Sequence, residues 1–102
     1  MSKRQKMHRI LDLVLDINGI TSKNREKGGP NVFMYFSGHI HEVTVQVFED
    51  GWVAGADPDY VNEIGLSYSQ ADTKIEETIS YLRDFLKKVA DREIESEVKW
   101  NY

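Results

Sequence analysis

Two histidines stand close together in the sequence FSGHIHEV, which covers residues 36–43. His39 and His41 are two residues apart, so on a β-strand both imidazoles would lie on one face and could bind a metal ion. Zinc needs three or four ligands, and the chain has only one further histidine, His8, and no cysteine. Glu42 would lie on the opposite face of the strand. We therefore favour two histidines at the rim of a core-facing sheet, and predict no metal and no other cofactor.

Carboxylates are the second group of side chains that suggests a function. Residues 28–73 contain seven Asp or Glu and no Lys or Arg, although charged residues make up 29% of the chain. Residues 1–27, by contrast, carry seven Lys or Arg and three acidic residues, within a chain whose net charge is −4. Such asymmetry bears on partners and electrostatic steering rather than on the fold. It predicts an acidic surface that faces a basic partner.

Acidic and aromatic residues are mixed between residues 49 and 63. The predicted partner-binding residues are Glu49, Asp50, Trp52, Asp57, Asp59, Tyr60 and Glu63. Carboxylates on rigid turns can take the spacing of phosphates, and aromatic side chains supply much of the binding energy at interfaces. We predict that this segment meets a basic, nucleic-acid-binding protein. The alternative is an acidic surface that only keeps a small domain in solution.

No set of residues typical of an enzyme is assembled in the sequence. Ser67 and Ser69 lack the strand–turn–helix context of a nucleophile, and Gly28–Gly29 precedes a predicted strand rather than a helix that could hold phosphate. The predicted order of elements is also that of double-stranded-RNA-binding domains, but residues 67–78, where such domains are basic, are acidic here. We therefore predict a protein that is not an enzyme and does not bind nucleic acid directly.

Two apolar stripes with helical spacing lie near the ends of the chain. The first consists of Met7, Ile10, Leu11, Val14 and Ile17. Ser2 is the predicted cap of this helix, and Asn18–Gly19 is its predicted end. The second stripe consists of Ile75, Ile79, Leu82, Leu86 and Val89. It predicts a long helix over about residues 70–91.

Residues 32–36 and 42–49 are rich in β-branched and aromatic side chains and predict two strands. A two-residue turn at Ser37–Gly38 would join them and would place Met34 opposite His41. One face of this hairpin would then carry Val32, Met34, Phe36, His39, His41, Val43, Val45 and Val47.

A second hairpin is predicted at Asp50–Gly51, since Asp-Gly between apolar runs is typical of a tight turn. It would lead into a third strand over residues 52–57 and would place Val47 opposite Ala54. Residues 63–68 alternate in polarity and predict a fourth short strand.

The predicted fold class is α+β: an antiparallel three- to four-stranded meander sheet with an N-terminal helix and a long C-terminal helix, in one domain over residues 1–102. Residues 21–31 are predicted to be a flexible loop. In the tail, residues 93–102, we favour a short C-terminal strand, with a continued helix as the alternative. No segment is apolar enough for a signal peptide or a membrane span, so we expect a complete, cytoplasmic protein.

In the segment VFMYFSGHIHEVTVQVFEDGW the chain resembles small α+β proteins that phages and mobile elements of Gram-positive bacteria encode. The common features are the short length, the lack of cysteine, the acidic balance, the basic first helix and the central meander. Some members of that group inhibit host defence nucleases, including CRISPR effectors, by occupying basic DNA-binding sites. The resemblance implies a non-catalytic protein that binds another macromolecule, and it transfers no individual functional residue.

Three hypotheses of function follow. The first is an inhibitor or modulator that presents its acidic segment, as a nucleic-acid mimic, to a basic partner. The second is a homodimeric structural or accessory domain that buries the second sheet face, if both helices cover the first, or buries the C-terminal strand. The third is a metal-dependent enzyme that uses His39 and His41.

Overall fold

The computed structural model of the chain describes residues 1–21 and 29–100, with side chains over residues 1–20 and 29–92. Its elements are helix α1 (Lys3–Thr21), strands β1 (Asn31–Ser37), β2 (Glu42–Phe48) and β3 (Tyr60–Gly65), and helix α2 (Ala71–Trp100). The strands form one antiparallel sheet in the order β1-β2-β3, which confirms the predicted α+β class. Most of the predicted flexible loop, residues 22–28, and the last two residues lie outside the described part.

A capping box starts helix α1. The backbone N–H of Gln5 donates to Ser2 Oγ over 3.2 Å, and the backbone N–H of Ser2 donates to Gln5 Oε1 over 2.7 Å. These two bonds satisfy amides that have no partner within the helix. The predicted cap at Ser2 is confirmed.

The end of α1 differs from the prediction, because the helix passes through Asn18–Gly19 and ends at Thr21. The Asn18 side chain is used elsewhere: it accepts from the backbone N–H of Val32 and donates to its C=O, both over 2.9 Å. Asn18 therefore ties the helix to β1 instead of ending it.

The connection between β1 and β2 contains four residues, 38–41, rather than the predicted two. The actual register pairs Phe36 with Val43 and Met34 with Val45, so the predicted pairing of Met34 with His41 is wrong. His39 and His41 lie in the connection and not on the core face, since His41 has a φ of 52°, a conformation foreign to strands. The predicted connection of two residues and the observed connection of four both contain an even number of residues. The sheet faces predicted for the other residues of β1 and β2 are therefore unchanged.

The predicted third strand over residues 52–57 is wrong, because residues 51–59 form turns and irregular chain. Gly51 does close a turn, donating to the C=O of Phe48 over 3.2 Å, but the chain does not return along β2 there. The strand next to β2 is β3, which pairs Val47 with Tyr60 and not with Ala54. Strand β3 overlaps the fourth strand predicted at residues 63–68 but begins earlier, at Tyr60. With no strand over residues 52–57, the described sheet has three strands.

Both helices cover the same face of the sheet. The buried core comprises Ile10, Leu13, Val14 and Ile17 of α1, Val32, Val43, Val45, Val47 and Ile64 of the sheet, and Ala71, Ile75, Ile79, Leu82, Phe85 and Val89 of α2. Leu11, predicted to be in the core, is 42% exposed, because Leu13 takes the buried position instead. The second face of the sheet carries neither helix.

Helix α2 continues to Trp100, so the favoured C-terminal strand is wrong over residues 94–100 and the continued helix is right. No Gly or Pro follows Ala71 to end the helix. In the described part of the chain, no helix is long and apolar enough to cross a membrane.

Candidate partner-binding site

Two stacked tyrosines join the sheet to helix α2. The ring centroids of Tyr60 and Tyr81 lie 3.9 Å apart with an angle of 7° between the planes. Tyr60 points to the helix-covered face because it pairs with the buried Val47. Both tyrosines are half-buried. The stack forms the wall of an open groove between β3 and the start of α2.

The groove is acidic along α2. It is lined by Tyr60, Asp72, Thr73, Glu76, Glu77, Ser80 and Tyr81, and we call it the tyrosine groove. Asp72, Glu76 and Ser80 follow each other at intervals of four residues and therefore share one side of the helix. Glu76 is paired with Lys6 of α1 at 2.9 Å. Asp72 and Glu77 are exposed and leave two further carboxylates at the groove.

A second pair of carboxylates reaches the tyrosines from the sheet. The carboxylates of Glu49, which follows β2, and of Asp59 both lie near enough to act on the Tyr81 hydroxyl electrostatically. Asp59 is held in place, since its Oδ2 accepts from the backbone N–H of Glu49 over 2.7 Å. Carboxylates from three places in the sequence thus converge around Tyr81.

These surroundings change the acidity of Tyr81. Burial is the largest cause, and together with the negative charges of Glu49 and Asp59 it raises the pKa of Tyr81 to about 12. The neutral hydroxyl is therefore favoured in the folded state, and it stays a hydrogen-bond donor at neutral pH.

A pH-dependent stability follows from this raised pKa. The contribution of Tyr81 to stability is complete below the unfolded pKa near 10 and is lost as the pH rises towards 12. We expect the free energy of unfolding of Tyr81→Phe to fall less than that of the wild type over this range. Urea denaturation at a series of alkaline pH values measures it, and parallel pH profiles would contradict the assignment.

A polar network adjoins the groove at Tyr60. The Asn62 side-chain amide donates to Thr78 Oγ1 over 2.8 Å, to the C=O of Lys74 over 3.1 Å and to the Tyr60 hydroxyl over 3.3 Å. Thr78 is fully buried and also donates to the C=O of Lys74. The network positions Tyr60 and fixes β3 against α2.

We expect Asn62→Ala to lower the free energy of unfolding by about 1–3 kcal/mol, because buried acceptors lose their donor. Gln46→Ala, on the uncovered face of the neighbouring strand, is the matched control and should cost less. Chemical denaturation measures both, and equal losses would show that the network has no special role.

The sequence-predicted residues fall into separate places. Tyr60 lines the tyrosine groove, and Glu49 and Asp59 lie near its Tyr81, whereas Asp50 and Asp57 are exposed in the 49–59 connection. Glu63 is also exposed, and its position in β3 places it on the uncovered sheet face.

Trp52 lies on that uncovered face as well. Its ring meets Phe33 edge to face with a centroid distance of 6.5 Å, and its backbone N–H donates to Asn31 Oδ1 over 2.8 Å. Trp52 and Tyr60, the two predicted aromatic anchors, therefore lie on opposite faces of the sheet.

Six residues that line the groove were missing from the sequence-based prediction: Asp72, Thr73, Glu76, Glu77, Ser80 and Tyr81. The spacing of Glu77 and Tyr81, four residues apart on one predicted helix, signals a mixed acidic and aromatic side. That side looked like a solvated helix surface, because the sequence alone does not show β3 packing beside it.

The two histidines lie at the other end of the sheet. His41 Nδ1 is 3.2 Å from Ser67 Oγ, and its ring meets Phe36 edge to face at 6.0 Å. His39 is exposed in the same connection. Among the described residues, no group of three or more His, Asp or Glu side chains is placed to hold a metal ion.

Comparison with known proteins adds no relative: no family model, no curated protein and no solved structure matches the chain. The function of the chain must therefore be inferred from its groove and its charges.

Proposed function

We propose that the chain is a non-enzymatic modulator that presents the tyrosine groove to a basic site on another protein. The observation that carries this proposal is the convergence of carboxylates on the stacked pair Tyr60–Tyr81: Glu49 directly after β2, Asp59 directly before β3, and the acidic residues of α2. An acidic surface with an aromatic wall combines electrostatic steering with a place to anchor a side chain.

Arginine is the side chain that this groove suits best. Its guanidinium binds carboxylates through two parallel hydrogen bonds and packs on tyrosine rings. Asp72 and Glu77 are exposed and available for such bonds, while Glu76 is already paired with Lys6. The lack of any Lys or Arg between residues 28 and 73 leaves no nearby competitor on that part of the chain.

Arginine-rich sites are typical of proteins that bind nucleic-acid phosphates. We therefore propose a nucleic-acid-binding protein as the partner, with the groove acting as a mimic of the phosphate backbone. The resemblance to phage and mobile-element proteins supports the finer proposal of an inhibitor of a host nuclease. That role places the chain in the cytoplasm, where such a nuclease would meet its target.

A capture experiment tests this function. The immobilised chain should retain a basic protein that is released by raised salt and by duplex DNA, since DNA would compete for the same basic site. A partner that stays bound under excess DNA would contradict the mimic.

A homodimeric accessory domain is the second candidate, favoured by the uncovered sheet face with its exposed Tyr35 and Trp52. Trp52→Ser should then reduce self-association in sedimentation experiments. An unchanged sedimentation profile would exclude dimerisation through that face.

A further inference from the structure

The two outer strands of the sheet differ in how their free edges are protected. In an antiparallel strand, the N–H and C=O of one residue point to the same side, and successive residues alternate. Val32 bonds the Asn18 side chain through both groups, so the even-numbered residues of β1 point away from β2. At the opposite edge, the C=O of Glu63 in β3 accepts from Lys74 Nζ over 2.9 Å.

The edge of β1 is open beyond Val32. By the same alternation, the N–H and C=O groups of Met34 and Phe36 point outward. Within the described residues, no group outside the strand bonds them. Strand β1 (Asn31–Ser37) also contains no charged residue to repel another strand. Proteins normally block such an edge with charge, proline or a covering segment.

The side of helix α1 above this edge is apolar. Leu11 and Leu15 are 42% and 60% exposed, and they share a side of the helix with Asn18, which reaches over the edge of β1. Phe36 is 61% exposed at the end of the strand. Exposed leucines beside open backbone groups are typical of a surface that another chain covers.

We propose that a second copy of this chain covers it, by pairing its own β1 antiparallel with this one about a two-fold axis at Tyr35. This register pairs Met34 of each copy with Phe36 of the other and uses all the open groups in four hydrogen bonds. A shift of the register towards Val32 would meet the Asn18 side chain. The result is a continuous six-stranded sheet with α1 beside its counterpart.

Charge favours a second copy over an unrelated strand. The first half of α1 carries Arg4 and Arg9, besides Lys3 and Lys6, whose ammonium groups bond the Leu66 C=O and Glu76 of the same chain, and the second half carries Asp12 and Asp16. The two-fold axis makes the paired helices antiparallel, so that the basic half of each lies beside the acidic half of the other. The tyrosine groove lies at the far edge of the sheet and stays open, so this inference does not rest on the proposed function.

A cysteine at the two-fold axis tests the register. The chain contains no cysteine, and Tyr35 of the two copies would form a pair without mutual hydrogen bonds, with Cα atoms roughly 4.5 Å apart. We expect Tyr35→Cys to form an intermolecular disulfide at least about tenfold faster than Val61→Cys, because pairing raises the effective concentration. Val61 is a matched control, because it is also exposed and lies in β3 on the same uncovered sheet face as Tyr35.

Two further variants test the contacts. Phe36→Pro removes an outward N–H that makes no bond within the sheet, so the monomer should fold while sedimentation shows fewer dimers. Should it not fold, Arg4→Glu, on the same side of α1 as Leu11 and Leu15, should weaken the dimer, whereas Arg83→Glu on α2 should have no effect. A monomer at the highest soluble concentration, or equal disulfide rates for the two cysteine variants, would overturn the proposal.

Discussion

Replacing Leu82 with alanine should lower the free energy of unfolding by about 2–5 kcal/mol, a large part of the total for a domain of this size. Leu82 lies in α2, is fully buried, and belongs to the core cluster formed by both helices and the sheet. Truncation would leave a cavity in a close-packed core to which both helices and the sheet contribute. Chemical denaturation measures the change.

Ile40→Ala is the matched control for this substitution. It removes the same number of carbon atoms from a residue that is 53% exposed in the connection between β1 and β2. Its expected cost is under about 1 kcal/mol. Similar losses for the two variants would mean that Leu82 is not enclosed by the core as described.

Reversing two charges in the tyrosine groove should weaken binding of a basic partner by roughly 100-fold, equal to about 2.7 kcal/mol. The double variant Asp72→Lys and Glu77→Lys removes two exposed carboxylates and adds two repelling ammonium groups. Its fold should survive, since losing an acid from the first turn of α2 costs about 0.3–1 kcal/mol. Titration calorimetry or surface plasmon resonance measures the affinity.

Glu63→Lys is the control for the double variant. Glu63 belongs to the acidic segment of the sequence but lies on the uncovered face of β3. We expect it to change the affinity little beyond a small salt-dependent effect on the association rate. Equal losses in both variants would show that overall negative charge, and not the groove, determines binding.

The helices and the first two strands were predictable because their apolar side chains repeat with a clear period. The hairpin register was not, because the turn length depends on a histidine in a left-handed conformation, which the residue types do not reveal. The sheet faces of the β1 and β2 residues were nevertheless predicted correctly, since a four-residue connection keeps the same alternation as the predicted two-residue connection. The tail was ambiguous because Ile94 and Val98, four apart, fit both a helical and a strand period.

The candidate site was predictable only in part. Glu49, Asp59 and Tyr60 stood out because acids and aromatics cluster in one cation-free segment. Tyr81 did not, because its role depends on the packing of α2 beside β3 and on the burial that raises its pKa to about 12. Trp52 was placed with Tyr60 by sequence proximity, although the irregular chain between them carries the two residues to opposite faces.

Titrating the ¹⁵N-labelled chain with an arginine-rich peptide, followed by two-dimensional NMR, tests the central claim most directly. We expect the largest chemical-shift changes at Glu49, Asp59, Tyr60 and residues 72–81 of α2, and we expect raised salt to reverse them. Changes centred instead on Tyr35, Trp52 and Val61 would place binding on the uncovered sheet face and contradict the account.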